Sequence, residues 1–181
     1  MNGRGDRYTG GAIFLHWTIA ALVLANLFIG LFHESLLEGM PLMPLHKSIG
    51  VTVLALSVAR LGWRLVHRPP PLPEAMARWE KALAKGVHWV FYALLLALPL
   101  TGWAFSSNPA RPRPVDWFGL FELPLLPVNG AVAAASHAAH EMLGLLMTAL
   151  VLLHVAAALR HHFIRRDHAL ARIAPWLRQP A

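Results

Sequence analysis

The sequence predicts an all-α membrane protein: a single four-transmembrane-helix bundle with both termini in the cytoplasm. Its 181 residues are 56% hydrophobic and only 14% charged, and the charges lie between long apolar runs. That pattern is typical of an integral membrane protein rather than a soluble domain. Four runs reach the length of about 20 apolar residues that a span requires. The predicted spans are about 12–32, 46–66, 86–105 and 137–163.

The first apolar run is a span rather than a secretory signal, because it is too long and shows no convincing cleavage site. Between the second and third spans, Arg68–Pro73 reads as an extended breaker and Glu74–Lys85 as a short amphipathic helix on the inner surface. The external connection 106–136 contains aromatic residues that are expected to anchor it at the lipid interface. They are Trp117, Phe118 and Phe121.

The positive charges predict the orientation. All but three of the 16 Lys and Arg residues lie in the N-terminus, the second connection or the C-terminal tail. Lys47, Arg111 and Arg113 are the three on the other side. The positive-inside rule therefore places both termini in the cytoplasm of a bacterial inner membrane, and the net charge of +7 indicates topology rather than nucleic-acid binding.

Four of the 11 histidines lie in hydrophobic segments and are followed four residues later by Gly or Ala. A histidine in a span is costly and needs a reason. Because residue i+4 lies on the same helix face, a small side chain there leaves room for a flat group beside the imidazole. Absence of Cys excludes covalent haem attachment, so the pattern predicts two non-covalent haems. The histidines and their glycine neighbours are His16, His46 with Gly50, His140 with Gly144, and His154.

Helix geometry predicts how these histidines pair. His140 and His154 are 14 residues apart, so they point to nearly the same side and lie about 21 Å apart along the axis. With the predicted topology, His46 and His140 share the outer level, while His16 and His154 share the inner level. Packed polar residues that bond neighbouring helices are the alternative reading. Gly62 and Gly102 are more simply explained by close helix approach.

Three further residues are candidates for contacts on the inner side. His88 is expected to bond a haem propionate or a quinone, but Tyr92 four residues later would crowd a porphyrin there. Trp89 adjoins it. His161 continues the face of His154 and is expected to meet a propionate, a quinone head group or lipid phosphate, or else to replace His154 as a ligand.

Several short motifs resemble the bacterial cytochrome b561 family in their order and spacing. They are Leu15-His16-Trp17, Leu45-His46-Lys47-Ser48-Ile49-Gly50, Arg60-Leu61-Gly62-Trp63-Arg64-Leu65, Ala97-Leu98-Pro99-Leu100-Thr101-Gly102-Trp103, His140-Glu141 and Leu153-His154-Val155-Ala156-Ala157-Ala158-Leu159. The resemblance implies a four-helix bundle with two haem b groups, ligated at His16, His46, His140 and His154.

The resemblance also implies electron exchange with quinone. One activity in the family is superoxide oxidation at the outer haem with reduction of ubiquinone, so the chain is expected to be a superoxide:ubiquinone oxidoreductase. Lys47, Arg111 and Arg113 could then steer the anion, although Asp116 and Glu122 partly cancel that field. The alternatives are a cytochrome b subunit that receives electrons from a periplasmic redox protein or larger dehydrogenase or hydrogenase, and a haem-free protein that uses its histidines for metal or proton handling.

Overall fold

The computed structural model describes residues 8–36, 38–67, 70–71, 77–165 and 170–176. Within them it contains four helices long and apolar enough to cross a membrane, which confirms the predicted fold class. A short antiparallel hairpin of two three-residue strands lies between the third and fourth helices. The elements are α1 Gly10–Phe32, α2 Met43–Val66, α3 Arg78–Ser106, β1 Val115–Trp117, β2 Phe121–Leu123 and α4 Gly130–Arg160.

Local sequence explains where the helices begin. Thr9 caps α1 by accepting a hydrogen bond from the amide of Ala12 (3.3 Å), and Asn129 caps α4 by accepting one from Val132 (2.9 Å). Pro44 lies in the first turn of α2, where its missing N–H costs nothing. At the start of α3 the Glu80 carboxylate accepts from the amide of Ala77 (3.2 Å).

Two helices are longer than the predicted spans. The separate surface helix expected over Glu74–Lys85 is wrong for its described part, because Arg78–Lys85 forms the first turns of α3 without a break. No Pro follows Arg78 until Pro99, and Gly86 alone does not stop a helix. The fourth helix starts at Gly130, about two turns before His137, because Asn129 provides a cap. A π-helical turn, His161–Arg165, follows α4.

The helices pack in chain order: α1 on α2, α2 on α3, and α3 on α4. Among the four long helices that the structure describes, α3 alone packs closely on α4, since α1 and α2 make at most sparse contact with it. The apolar centre of the α1–α2 interface is formed by Ile29, Ile49 and Val53. The two sides of the bundle, α1–α2 and α4, are therefore connected mainly through α3.

The hairpin lies along the outer part of α2. The indole of Trp117 donates to Thr52 Oγ1 (3.1 Å), and the buried Ser48 hydroxyl lies 2.8 Å from the carbonyl of Asp116, to which it donates. Ser48 Oγ also accepts from the amide of Phe118 (3.2 Å), a residue with φ of 50°. These bonds hold the turn, with its left-handed Phe118, against α2. Trp117 is thus attached to α2 rather than serving as a free lipid anchor.

At the opposite end, the N-terminus, the second connection and the C-terminal segment meet. Trp17 Nε1 donates to the carbonyl of Ile173 (2.9 Å), and Trp63 Nε1 donates to Thr9 Oγ1 (3.2 Å). A Cβ on Gly11 would lie 2.7 Å from the Trp63 ring, so this helix approach requires glycine. The first and last described segments, residues 8–9 and 170–176, therefore lie at one end of the bundle. Its assignment to the cytoplasm remains a prediction from the charges.

Candidate functional site

The structure brings His46 of α2 and His140 of α4 together at the outer end of the bundle. Their ring centroids are 6.1 Å apart with an interplanar angle of 78°. Two imidazoles bound to opposite sides of one metal ion through bonds of about 2 Å would place their centroids about 6 Å apart. The two rings lie edge-on to each other between α2 and α4, a helix pair that is not closely packed. This separation fits a pair of axial ligands.

Hydrogen bonds to both rings leave the correct nitrogen available. His46 Nδ1 donates to the carbonyl of Asn26 (3.2 Å), and His140 Nδ1 donates to the carbonyl of Leu98 (2.9 Å). Because an imidazole that donates through Nδ1 has its lone pair on Nε2, each ring presents Nε2 as a ligand. Metal-binding histidines usually donate their second nitrogen to a carbonyl or carboxylate in this way.

The Leu98-Pro99-Leu100-Thr101-Gly102 stretch of α3 forms the seat of His140. Pro99 interrupts the helical hydrogen-bond ladder, and Thr101 Oγ1 contacts His140 Nδ1 (3.3 Å) as well as the carbonyls of Ala97 and Leu98 (both 2.9 Å). A Cβ on Gly102 would lie 3.1 Å from Cε1 and 3.3 Å from Nδ1 of His140. The predicted close approach at Gly102 is therefore an approach to the ring of this histidine.

The other glycines divide into two groups. Gly30 of α1 supports His46 as Gly102 supports His140, since an added Cβ would lie 3.1 Å from His46 Cε1. A Cβ on Gly144 would meet no atom of the described residues within 4 Å, and one on Gly50 would meet only Asn26 Nδ2, at 3.7 Å. The open side of Gly50 and Gly144 is compatible with the flat group that the sequence pattern suggests.

His88 and His154 are neighbours at the inner level. His154 of α4 lies beside His88 of α3, with ring centroids 6.1 Å apart, and beside Phe91 at 5.4 Å. His16 of α1 lies within electrostatic range of His154, His88 and Arg60. The pairing of His16 with His154 stays a prediction, and the structure adds His88 as a ring neighbour of His154.

Packing distinguishes the two possible partners of His154. His88 and His154 lie on α3 and α4, which pack closely, and Tyr92 is buried one turn after His88. His16 lies across the sparsely packed pair of α1 and α4. A macrocycle needs clear space around a bound iron, and the close packing of α3 on α4 restricts that space beside His88.

The other residues predicted to contribute to the site do not form a single cluster. Lys47 Nζ donates to the carbonyl of Arg113 (2.9 Å), which brings these two residues together at the outer end. The side chain of Arg113 extends over the ring of Phe105 (5.9 Å), and Arg111 is exposed. On the inner side Trp89 is 56% exposed, and His161 begins the π-helical turn that follows α4.

Sequence reasoning missed several polar groups around the two levels. Ser57 is fully buried on the same face of α2 as His46 and Arg60, and neither its hydroxyl nor Asn26 Oδ1 has a hydrogen-bond partner among the described residues. A polar residue in the middle of a span, such as Asn26, was an available signal. The role of the Leu98 carbonyl could not be predicted from the sequence, because it depends on the tertiary position of His140.

Among the described residues no three His, Asp or Glu side chains converge on a point that could hold a bare metal ion. Two imidazoles alone do not complete the coordination of a structural or catalytic ion. A haem supplies the other ligands from its own ring, so a two-histidine arrangement suits haem better than a free metal.

Comparison with known proteins agrees with this geometry. A family model described as prokaryotic cytochrome b561 matches residues 7–176. The chain is 32% identical to cytochrome b561 homolog 2 of Escherichia coli over 93% of its own length and 91% of that protein. It is 31% identical to the probable superoxide oxidase CybB of Yersinia pestis over 93% and 96%, and 29% identical to cytochrome b562 of Cereibacter sphaeroides over 92% and 94%. The chain therefore belongs to the prokaryotic cytochrome b561 family, whose members are multi-pass electron-transfer proteins of the bacterial inner membrane that carry haem b.

Proposed function

We propose that this protein binds two haem b groups and transfers electrons from superoxide on the periplasmic side to ubiquinone. His46 and His140 would hold the outer haem, and His16 and His154 the inner one. The observation that carries the proposal is the outer pair, with ring centroids 6.1 Å apart and each Nδ1 bonded to a backbone carbonyl. Gly50 and Gly144 would leave room for the porphyrin faces.

Each bound haem would supply one-electron redox chemistry, and ligation by two histidines favours electron transfer over oxygen binding. The protein fixes the axial rings. The carbonyls of Asn26 and Leu98 hold the outer imidazoles in one tautomer, and Gly30 and Gly102 let neighbouring helices approach those rings. Two binding levels in one bundle would bring electrons from one membrane surface toward the other.

Superoxide is the proposed donor. Two superoxide anions would each lose one electron and become O₂, and ubiquinone would take up the two electrons and two protons to become ubiquinol. The printed name of the Yersinia pestis relative supports this assignment. The cationic side chains of Lys47, Arg111 and Arg113 at the outer end could attract the anion, and the bond of Lys47 to a neutral carbonyl leaves its charge in place.

Ubiquinone reduction is proposed for the cytoplasmic side. His88 lies against His154 and could donate a hydrogen bond to a quinone or a haem propionate. Trp89 and His161 lie at the same end of the bundle and would contribute to such a contact. The distribution of Lys and Arg supports the cytoplasmic orientation of this end.

The spectrum and haem content of the purified full-length protein test the haem proposal. We expect a reducible low-spin b-type spectrum with two haems per chain, and a single haem or a colourless protein would contradict it. Superoxide consumption with added ubiquinone then tests the donor and acceptor. If two haems are present but superoxide is not consumed, and a soluble redox subunit co-purifies, the protein is instead the cytochrome b partner of a larger dehydrogenase or hydrogenase.

A further inference from the structure

A basic cavity opens at the end of the bundle where α2 ends and α3 begins. Its volume is about 350 Å³, and its walls come from the segment before α1, the end of α2, the second connection and the first turns of α3. It is separate from the outer haem level and adjoins the inner level only through His88. Its main lining residues are Tyr8, Arg64, Pro71, Lys81, Lys85 and His88.

The charged side chains described in the lining of this cavity are all cationic. Arg64, Lys81 and Lys85 line it, and none of the described lining residues is acidic. The nearby carboxylate of Glu80 is engaged elsewhere, since Oε1 lies 2.7 Å from Arg165 and Oε2 accepts from the amide of Ala77. The cavity therefore presents three cationic side chains to any group that enters it, together with the phenol of Tyr8 as a hydrogen-bond donor.

The walls of the cavity are held in position by other parts of the fold. The guanidinium of Arg64 lies 5.9 Å and 5.8 Å from the rings of Trp89 and Tyr92. Arg172 donates to the carbonyl of Pro71 (2.7 Å), which ties the second connection to the C-terminal segment. The site is thus formed by tertiary contacts and is more than a group of surface lysines.

The first turns of α3 also indicate the depth of the cavity in the membrane. Lys81, Lys85 and His88 follow one face of the helix, while Trp79 and Leu83 lie on the opposite face and are 67% and 59% exposed. Exposed tryptophan and leucine beside lysine are typical of the boundary between acyl chains and head groups. The cavity therefore lies at head-group level, between two membrane-spanning helices.

We propose that this cavity binds the phosphate of an anionic phospholipid from the leaflet at that end of the bundle. Basic pockets between transmembrane helices on the cytoplasmic side are a recognised form of binding site for anionic lipid head groups. Phosphate oxygens accept from Arg, Lys and Tyr alike, so Arg64, Lys85 and Tyr8 can donate to the same group in such a complex. The lipid site does not depend on the proposed haem ligands.

The test measures lipid binding to the haem-loaded full-length protein. Native mass spectrometry would report bound phospholipid, and the delipidated protein would be titrated with a fluorescent phosphatidylglycerol in phosphatidylcholine nanodiscs. The double variant Arg64→Gln, Lys85→Gln is compared with Arg78→Gln, Arg160→Gln, which removes the same charge from exposed positions outside the cavity. Because one cation near the surface contributes about fivefold in affinity, we expect the first pair to bind about thirtyfold more weakly and the second pair to bind like the wild type.

The single variant Lys85→Gln keeps the test usable if the loss of Arg64 disturbs folding, because Lys85 is exposed. It should weaken binding about fivefold, and Lys85→Arg should restore it. Equal affinities for the cavity and control pairs would overturn the proposal. So would displacement of the labelled lipid by inorganic phosphate at equal concentration, which would indicate a free-anion site. Failure of the haem-loaded wild type to bind anionic lipid while the haem-free protein does would show that a haem propionate fills the cavity instead.

Discussion

Gly102→Ala tests whether the Leu98–Gly102 stretch of α3 positions the His140 ring as a haem ligand. An alanine at an unobstructed helical position stabilises a helix by about 0.5–1 kcal/mol relative to glycine. At Gly102 the new Cβ would lie 3.1 Å from Cε1 and 3.3 Å from Nδ1 of His140, so the ring must move by a few tenths of an ångström. That movement would strain the 2.9 Å hydrogen bond to the Leu98 carbonyl.

The expected magnitude follows from two effects. Forcing an extra methyl group into a packed site costs about 1–3 kcal/mol. Disturbing a hydrogen bond that orients a metal-bound histidine lowers cofactor affinity about 10- to 100-fold. We therefore expect Gly102→Ala to lose outer-haem occupancy on dilution or dialysis, with the inner haem retained. Haem-to-protein ratio and the reduced-minus-oxidised spectrum measure this loss.

Two matched glycine variants complete the experiment. Gly62→Ala is the control, because a Cβ there would meet no atom of the described residues within 4 Å, and it should leave the haem content unchanged. Gly144→Ala also meets no described protein atom, so it should reduce outer-haem occupancy only if a porphyrin lies beside it. If Gly102→Ala keeps the haem content and outer-haem potential of Gly62→Ala, the proposed seat of His140 is refuted.

Three further predictions follow from the described contacts. His154→Ala should remove the inner haem and spare most of the outer one; full haem content in His154→Ala together with loss in His161→Ala would make the ligand assignment wrong. Neutralising Lys47 and Arg111 should slow the reaction with superoxide more at low than at high ionic strength, and salt-independent rates in stopped-flow measurements would exclude steering. Ser48→Ala should destabilise the outer hairpin by about 1–3 kcal/mol because it removes two hydrogen bonds that hold the turn against α2, so proteolysis at the hairpin should accelerate, and an unchanged rate of cleavage would contradict this role of Ser48.

The helical architecture could be predicted because hydropathy and helix rise act along the chain itself. Length and apolar composition identified the four helices, and the 14-residue spacing of His140 and His154 placed those residues at two levels. The residues at which α3 and α4 begin were harder to predict from the sequence. They depend on the continuity of α3 through Lys85 and on the cap at Asn129, which weak local signals decide.

The environment of the proposed ligands could not be predicted in the same way. The sequence pattern drew attention to Gly50 and Gly144, the glycines four positions after two of the histidines, yet the glycines that contact the rings, Gly30 and Gly102, lie on other helices. Their role depends on which helices become neighbours. The hairpin was hidden for a similar reason, because Trp117 looked like a lipid anchor until its contact with Thr52 was visible.

The sparse contact of α4 with α1 and α2 has a consequence for biogenesis. If the histidines bind haem as proposed, each iron would connect α4 to a helix with which α4 makes little other contact. Haem insertion would then be the last step of assembly. Newly made chains awaiting haem would then have a loosely attached fourth helix. Haem supply could in this way control how long such chains survive proteolytic quality control in the membrane.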